Sequence, residues 1–134
     1  MIVVDTSAWV EFLRKTGSPS HLTLRGLLVA EAPLAVTEAV VFEVLAGARS
    51  DDELEQMRDR LLAFPVLPLN GLAGFELAAE LYRACRRAGE TLSSLVDCLV
   101  AAPAIEASAT VLAADRDFEV LATHTRLRLE PMTA

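Results

Sequence analysis

The sequence has 134 residues, of which 53% are hydrophobic. This is enough for the core of one domain and leaves little room for a second. The net charge is −7, from 19 acidic and 12 basic residues, which disfavours binding to nucleic acid by phosphate neutralisation alone. An exception is a nuclease whose clustered acids hold divalent cations, because the cations bridge carboxylate and phosphate.

Short apolar runs alternate with amphipathic stretches along the whole chain. The runs predict strands at 2–4, 33–36, 66–69, 110–114 and 127–129. The stretches between them predict helices at 8–15, 20–28, 37–48, 51–62, 70–89, 93–108 and 118–122, with Ser20, Thr37 and Asn70 as caps. Strands that alternate with helices predict a parallel sheet covered on both faces, and ligands bind beyond the carboxyl ends of such strands.

Two aspartates follow predicted strands. Asp5 ends the first strand and Asp115 ends the fourth, so both are expected at the same edge of a parallel sheet. Each could also be an ordinary helix N-cap, since an aspartate before a helix is common. Their joint placement favours a site.

Two further acids lie in apolar helical surroundings. The helical neighbours of Glu43 at three and four positions are alanine, valine and glycine, so none can pair with its carboxylate. Asp97 is the only charge between Glu90 and Glu106. Unpaired carboxylates in such settings are costly unless they are exposed or bind something. A narrow solvent-exposed stripe for Glu43 and a first-turn acid for Asp97 remain alternatives.

Four acids from four segments could therefore meet at one sheet edge. Close carboxylates repel and stay partly protonated unless a cation neutralises them. An all-oxygen set suits Mg²⁺ or Mn²⁺ better than zinc, and the two histidines have no metal-ligand spacing. These acids suggest metal-assisted phosphodiester hydrolysis, with Asp5 and Asp97 as direct ligands. Asp115 would assist through a second metal or a water, and Glu43 would orient or deprotonate the attacking water or bind the metal through water.

The acids occur in motifs that resemble those of PIN domains. The opening Val-Asp-Thr-Ser-Ala-Trp around Asp5, the Glu43 segment with Leu45 and Gly47, the Ala-rich helix that starts at Asp97, and Ala-Asp-Arg-Asp-Phe at 114–118 occur in the family's order and spacing. The resemblance spans essentially the whole chain. By size and motif it is greatest to the VapC toxins of bacterial toxin–antitoxin pairs.

The resemblance implies a single PIN domain over 1–134 with a three-layer α/β/α fold around a mostly parallel sheet of about four to five strands. It implies Mg²⁺- or Mn²⁺-dependent cleavage of single-stranded or loop RNA, with transfer RNA a candidate substrate. It also implies a homodimer and inhibition by a VapB-type antitoxin. By match to the motifs, the metal-binding and catalytic acids are Asp5, Glu43, Asp97 and Asp115, with Asp117 as an auxiliary metal ligand.

Two positions depart from the family pattern. Pro103 lies in the Ala-rich helix, where we expect it to cause a kink. Ala113 stands where a polar residue is frequent, two positions before Asp115. Neither change removes an acid.

Basic residues near the predicted site are candidates for holding RNA phosphates, although a solvated helix face is the plainer explanation for any single one. They are Arg14, Lys15, Arg49, Arg86, Arg87 and Arg116. The N-terminus lacks the pattern of a signal peptide and no apolar run could span a membrane, so we expect a cytoplasmic protein.

The sequence allows comparison with three other functions. A phosphatase of the HAD type needs a second aspartate two residues after the first, where Ser7 stands; a receiver domain needs a late lysine, and the only lysine is Lys15. The strongest alternative is a non-catalytic, acidic PIN-like module that binds a basic peptide or protein partner.

Overall fold

The computed structural model describes residues 1–133, and its order of elements follows the predicted alternation. This described range contains five strands: β1 (Ile2–Val4), β2 (Leu34–Thr37), β3 (Val66–Leu67), β4 (Thr110–Leu112) and β5 (Arg128–Leu129). Within the same residues there are seven helices: α1 (Thr6–Leu13), α2 (Pro19–Val29), α3 (Glu38–Ala46), α4 (Asp51–Leu61), α5 (Gly71–Arg87), α6 (Val96–Glu106) and α7 (Arg116–His124).

The strands form one parallel sheet with the order β3-β2-β1-β4-β5, flanked by the helices. The predicted α/β fold is confirmed. β1 lies in the centre, where Ile2 pairs with Leu34 on one side and with Thr110 on the other. Because Val4 pairs with Leu112, the segments after β1 and β4 leave the sheet side by side at its carboxyl edge.

Burial of their side chains in the core stabilises the short strands. All three residues of β1 are buried, as are all four of β2. Val3, Val36 and Val111 are fully buried. Burying a side chain of this size stabilises the fold by roughly 1.5–3 kcal/mol. The predicted edge strand β3 is only two residues long, which agrees with prolines at both of its ends.

Some predicted helix starts are wrong by a few residues. Helix α2 is capped by Ser18, with Pro19 in the first turn, and not by Ser20. Asn70 precedes α5 in a left-handed conformation, with φ of 67°, and its side chain makes no capping hydrogen bond. By contrast, Thr37 caps α3 as predicted, and its hydroxyl accepts from the backbone N–H of Val40 at 3.2 Å.

Helix α6 continues through Pro103 to Glu106. Pro103 lies among buried alanines, in a helix with seven buried residues. Across the described range, 1–133, no helix has both the length and the apolar composition needed to cross a membrane.

Candidate metal centre

Asp5 follows β1 directly and is 2% exposed. Its Oδ2 atom accepts hydrogen bonds from the backbone N–H of Ser7 at 2.9 Å and from the Ser7 hydroxyl at 2.6 Å. Asp5 is therefore the N-cap of α1. Its other oxygen, Oδ1, is buried and finds no hydrogen-bond partner within residues 1–133. One oxygen caps the helix, and the other is left for a ligand.

Asp97 lies in the first turn of α6 and is 5% exposed. One of its oxygens, Oδ2, is also buried with no partner in the described part of the chain. An oxygen of the Asp97 carboxyl lies within 4.8 Å of an oxygen of Asp115 and of one of Asp117. A buried carboxyl oxygen without a partner is uncommon and indicates a site that something else completes.

The start of α7 places Asp115 and Asp117 close to Asp97. Asp115 caps α7, with its Oδ1 accepting from the backbone N–H of Asp117 at 2.9 Å. Asp97, Asp115 and Asp117 each offer a carboxylate oxygen, and these three atoms lie within 4.8 Å of one another. Three acids from two of the predicted motifs, the Asp97 motif and the motif at 114–118, are thus adjacent in space.

Asp117 makes contacts that the sequence did not predict. Its carboxylate accepts from the Ser93 backbone N–H and hydroxyl and from the Ser94 backbone N–H, at distances of 2.8–3.1 Å. Helix α6 begins at Val96, two residues after the predicted serine pair, and Leu95 at its N-cap position makes no side-chain capping bond. The Ser94 hydroxyl still accepts from the backbone N–H of Val96 at 3.2 Å, so this serine does support the start of the helix. Asp117 fixes the segment that leads into α6. The long-range partner, 24 residues away, leaves no local signal in the sequence.

Glu43 lies on α3 and is half-buried. Its Oε1 atom accepts a hydrogen bond of 2.8 Å from the Thr6 hydroxyl, at the start of α1. No helical neighbour of Glu43 could supply this donor, so tertiary packing does. The contact joins the first two acidic motifs.

The pKa values follow from burial and crowding. Burial, together with the Glu43 charge and against hydrogen bonds from Ser7, raises the pKa of Asp5 to about 6. Burial, the hydrogen bond that protonated Asp97 makes to Asp117, and the charges of Asp5, Asp115 and Asp117 raise the pKa of Asp97 to about 9. Burial would also raise the pKa of Asp117, but hydrogen bonds from Ser93, Asp97 and Ser94 outweigh it and lower the pKa.

This arrangement fits a divalent cation. Among the described residues, the carboxylate oxygens that lie within 4.8 Å of one another come from Asp97, Asp115 and Asp117, and carboxylate oxygens suit a hard cation. Asp5 and Glu43 lie outside this group of three. Asp5 and Asp97 each keep one buried oxygen that has no partner within residues 1–133. A cation at the group of three would offset the mutual repulsion of its acids and could supply the partner that Asp97 lacks.

Two grooves adjoin the acids. One, of about 440 Å³, is lined by Thr6, Glu43 and Glu53 together with Arg14 and Arg49. The other, of about 510 Å³, is lined by Ser7, Glu11, Asp115, Arg14 and Arg116 among others. Arg14 therefore lines both grooves.

The basic candidates divide into two groups. The structure places Arg14, Arg49 and Arg116 beside the acids, and all three side chains are exposed. Lys15, Arg86 and Arg87 are exposed but are not among the residues lining either groove. Arg86 instead lies over the Tyr82 ring, 5.8 Å from its centroid.

Comparison with known proteins agrees with this geometry. A family model described as PIN domain matches residues 2–123. Ribonuclease VapC11 of Mycobacterium tuberculosis is 43% identical over 129 residues, which cover 96% of each chain. Among solved structures, VapBC2 from Rickettsia felis, bound to a DNA fragment from its promoter, matches with a TM-score of 0.73 and 21% identity, over 97% of this chain and 98% of the other.

A second solved structure, VapC20 of Mycobacterium tuberculosis, described as a Sarcin-Ricin loop cleaving toxin, matches with a TM-score of 0.67 and 21% identity. It covers 96% of this chain and 99% of the other. These structures share the fold, and the family follows from the sequence matches. The chain belongs to the PIN-domain family and, within it, to the VapC ribonucleases.

Proposed function

We propose that this protein is a metal-dependent endoribonuclease that hydrolyses phosphodiester bonds in single-stranded or loop RNA, and that it acts as the toxin of a toxin–antitoxin pair. The observation that carries the proposal is the cluster of Asp97, Asp115 and Asp117, together with a buried oxygen on Asp97 and another on Asp5 that lack a partner among the described residues. The family membership and the ribonuclease name of the 43% identical relative support it.

Asp5 and Asp97 would hold the cation directly, because each offers a buried free oxygen. Asp115 would contribute at the same place or through water, and Asp117 would be auxiliary, since its carboxylate already accepts from Ser93 and Ser94. When bound, a divalent cation supplies a Lewis acid that neutralises phosphate charge and makes water more acidic. The chemistry of the donors admits Mg²⁺ or Mn²⁺.

Glu43 is the candidate for orienting or deprotonating the attacking water. Thr6 fixes Oε1, which leaves Oε2 to accept a proton. The water oxygen would then add to phosphorus as the bond from phosphorus to the leaving ribose oxygen breaks. The ribose oxygen would take up a proton from solvent or from the Glu43 carboxyl, which restores the carboxylate.

Arg14, Arg49 and Arg116 would hold the RNA backbone on either side of the acids, because they line the two grooves. Single-stranded loops suit such grooves, since their bases and phosphates are accessible. A structured loop such as a tRNA anticodon loop is the leading substrate. A cut there would stop translation with few turnovers, which suits a toxin.

The proposed partners are a VapB-type antitoxin and a second copy of the chain. An acidic groove attracts a basic segment, and an antitoxin arginine placed against the acids could replace the charge of the cation. Exposed apolar side chains such as Phe42 and Leu95 are candidates for a homodimer interface. A cytoplasmic location remains a prediction.

The decisive experiment is RNA cleavage by the purified chain, free of any partner. Cleavage should require Mg²⁺ or Mn²⁺, stop on chelation, and be absent in Asp97→Asn. Mapping new RNA 5′ ends in cells soon after induction identifies the substrate, with Asp97→Asn as the control. A chain that binds a basic peptide but cuts no RNA with either metal would favour the non-catalytic module.

A further inference from the structure

Thr6 and Ser7 are adjacent hydroxyl residues at the start of α1, and their side chains make contacts in different directions. Thr6 donates to Glu43 on α3. Ser7 donates to Asp5 and also accepts from the backbone N–H of Ala114, next to Asp115. Two hydroxyls thus reach the segments that carry three of the four site acids.

The Ser7 contacts exceed what helix capping needs. Asp5 caps α1 through the backbone N–H of Ser7 alone. The Ser7 hydroxyl adds a second, short bond of 2.6 Å to the same oxygen, Oδ2. The Ser7 hydroxyl oxygen also accepts a hydrogen bond of 2.9 Å from the backbone N–H of Ala114, which lies 107 positions further along the chain.

These bonds constrain the geometry of the acids. With Oδ2 held by two donors, the Asp5 carboxylate cannot rotate freely, and its unpartnered oxygen Oδ1 keeps one direction. The bond to Ala114 N fixes the distance between the segment after β1 and the segment after β4. Hydrogen bonds to metal-binding carboxylates orient them in this way in metal sites generally.

We propose that Ser7 and Thr6 are positioning residues of the metal centre: Ser7 orients the metal-binding oxygen of Asp5 and joins it to the Asp115 segment, and Thr6 orients Glu43. This inference rests on the proposed function. Neither hydroxyl needs to touch metal or RNA for this role. Ser7 acts on cation affinity, and Thr6 acts on the catalytic step.

The test measures Mn²⁺ binding by calorimetry on the full chain. Ser7→Ala should raise the Mn²⁺ dissociation constant about 10- to 100-fold, the range found when such supporting contacts are removed. Ser7→Thr keeps a hydroxyl and should recover most of the affinity. Ser7→Cys keeps a side chain of similar shape, but its thiol is a weak hydrogen-bond partner, so its Mn²⁺ dissociation constant should rise as it does in Ser7→Ala. This second variant decides the question if Ser7→Ala does not fold.

Thr6→Val keeps the shape of the side chain and removes the hydroxyl. It should lower kcat for RNA cleavage with little change in KM, and it should change the Mn²⁺ dissociation constant less than Ser7→Ala does. Thr6→Ser should restore kcat. If Thr6 had a purely structural role, Thr6→Val would lower the melting temperature, and kcat would not fall selectively relative to Mn²⁺ binding.

The matched control is Ser18→Ala, which removes the cap of α2 at a residue whose hydroxyl bonds only Thr16, Ser20 and His21. It should lower the melting temperature and leave Mn²⁺ binding unchanged. Wild-type Mn²⁺ affinity in a well-folded Ser7→Ala, or equal weakening in Ser18→Ala, would overturn the Ser7 role. Unchanged kcat in Thr6→Val would overturn the Thr6 role.

The outcomes separate this inference from the nuclease proposal. If the wild-type chain binds Mn²⁺ and cuts no RNA, the proposed activity fails, and the comparison of dissociation constants still decides the role of Ser7. If the wild-type chain binds no Mn²⁺, the inference is overturned with the metal centre itself.

Discussion

An oxygen of the Asp97 carboxyl lies within 4.8 Å of an oxygen of the Asp117 carboxyl, and the two acids have opposite pKa shifts. Burial, the hydrogen bond that protonated Asp97 makes to Asp117, and nearby carboxylates raise the pKa of Asp97 to about 9. Hydrogen bonds from Ser93 and Ser94 lower the pKa of Asp117. At neutral pH the raised pKa therefore favours the protonated form of Asp97 in the metal-free protein.

Metal binding should release this proton. Asp97 must ionise to ligate a cation, so cation affinity should rise as pH increases from about 6 towards about 9, the range between the raised pKa values of Asp5 and Asp97. Calorimetry of Mn²⁺ binding in buffers of different ionisation enthalpy measures the protons released. An affinity that is flat between these pH values would contradict the prediction.

The stability of the metal-free protein should fall as pH rises. Asp5 and Asp97 lose their protons near pH 3.8 when unfolded and only near 6 and 9 when folded, so the folded state binds more protons in between. The free energy of unfolding should therefore be highest near pH 4, as far as these two groups decide it, and decrease towards pH 9.

Asp97→Asn should remove the Asp97 part of this pH dependence. Its amide can still donate to Asp117, so it should melt at the same temperature as the wild type or a few degrees higher at pH 8, while cleavage is lost. Urea unfolding at pH 5 and pH 8 checks both statements. A variant that unfolds readily at both pH values would instead indicate that Asp97 has a structural role.

Asp117 and Asp115 should respond differently to substitution. Asp117→Ala leaves the Ser93 and Ser94 donors without their acceptor, and we expect a loss of about 1–3 kcal/mol in unfolding free energy. Asp115→Asn keeps a good N-cap for α7 and should cost little stability while it reduces cleavage. Chemical denaturation and cleavage rates on the two variants separate the roles. Equal stability of both variants would count against the role of Asp117 in fixing the Ser93–Ser94 segment.

Arg14 should be the most sensitive basic residue in RNA binding, because it lines both grooves. In an Asp97→Asn background that does not cleave, Arg14→Ala should weaken RNA binding and reduce the slope of log affinity against log salt by about 0.7. Arg87→Ala, outside both grooves, is the matched control. Equal loss in both variants would mean that binding depends on overall charge only.

The antitoxin should compete with metal at the acid cluster. If a basic segment inhibits by placing an arginine against these acids, neutralising Asp5, Asp97 and Asp115 together should weaken its binding at least tenfold, because the attraction between the charges is removed. Affinity between purified partners, measured by calorimetry, checks this. Unchanged affinity would contradict this mechanism and would indicate that the antitoxin binds elsewhere, for example at exposed apolar side chains such as Phe42 and Leu95.

Much of the fold could be predicted from local pattern. Short apolar runs such as Ile2–Val4 predict buried strands, and their alternation with helices predicts a parallel sheet. The predicted helix starts are less accurate where a distant side chain also bonds the capping residues. Ser94 accepts from the first N–H of α6 at Val96, but the N–H groups of Ser93 and Ser94 bond Asp117, 24 and 23 residues away, and the helix begins two residues after the pair.

The candidate acids follow from residue pattern alone. Asp5 and Asp115 each end a predicted parallel strand and were expected at one edge of the sheet, and Glu43 and Asp97 lack local partners that would explain them. Which donors hold each acid depends on the tertiary structure, because these donors come from distant segments: Thr6 for Glu43, and the serine pair for Asp117. Hydrogen bonds between segments far apart in the chain depend on packing, and residue spacing carries no record of them.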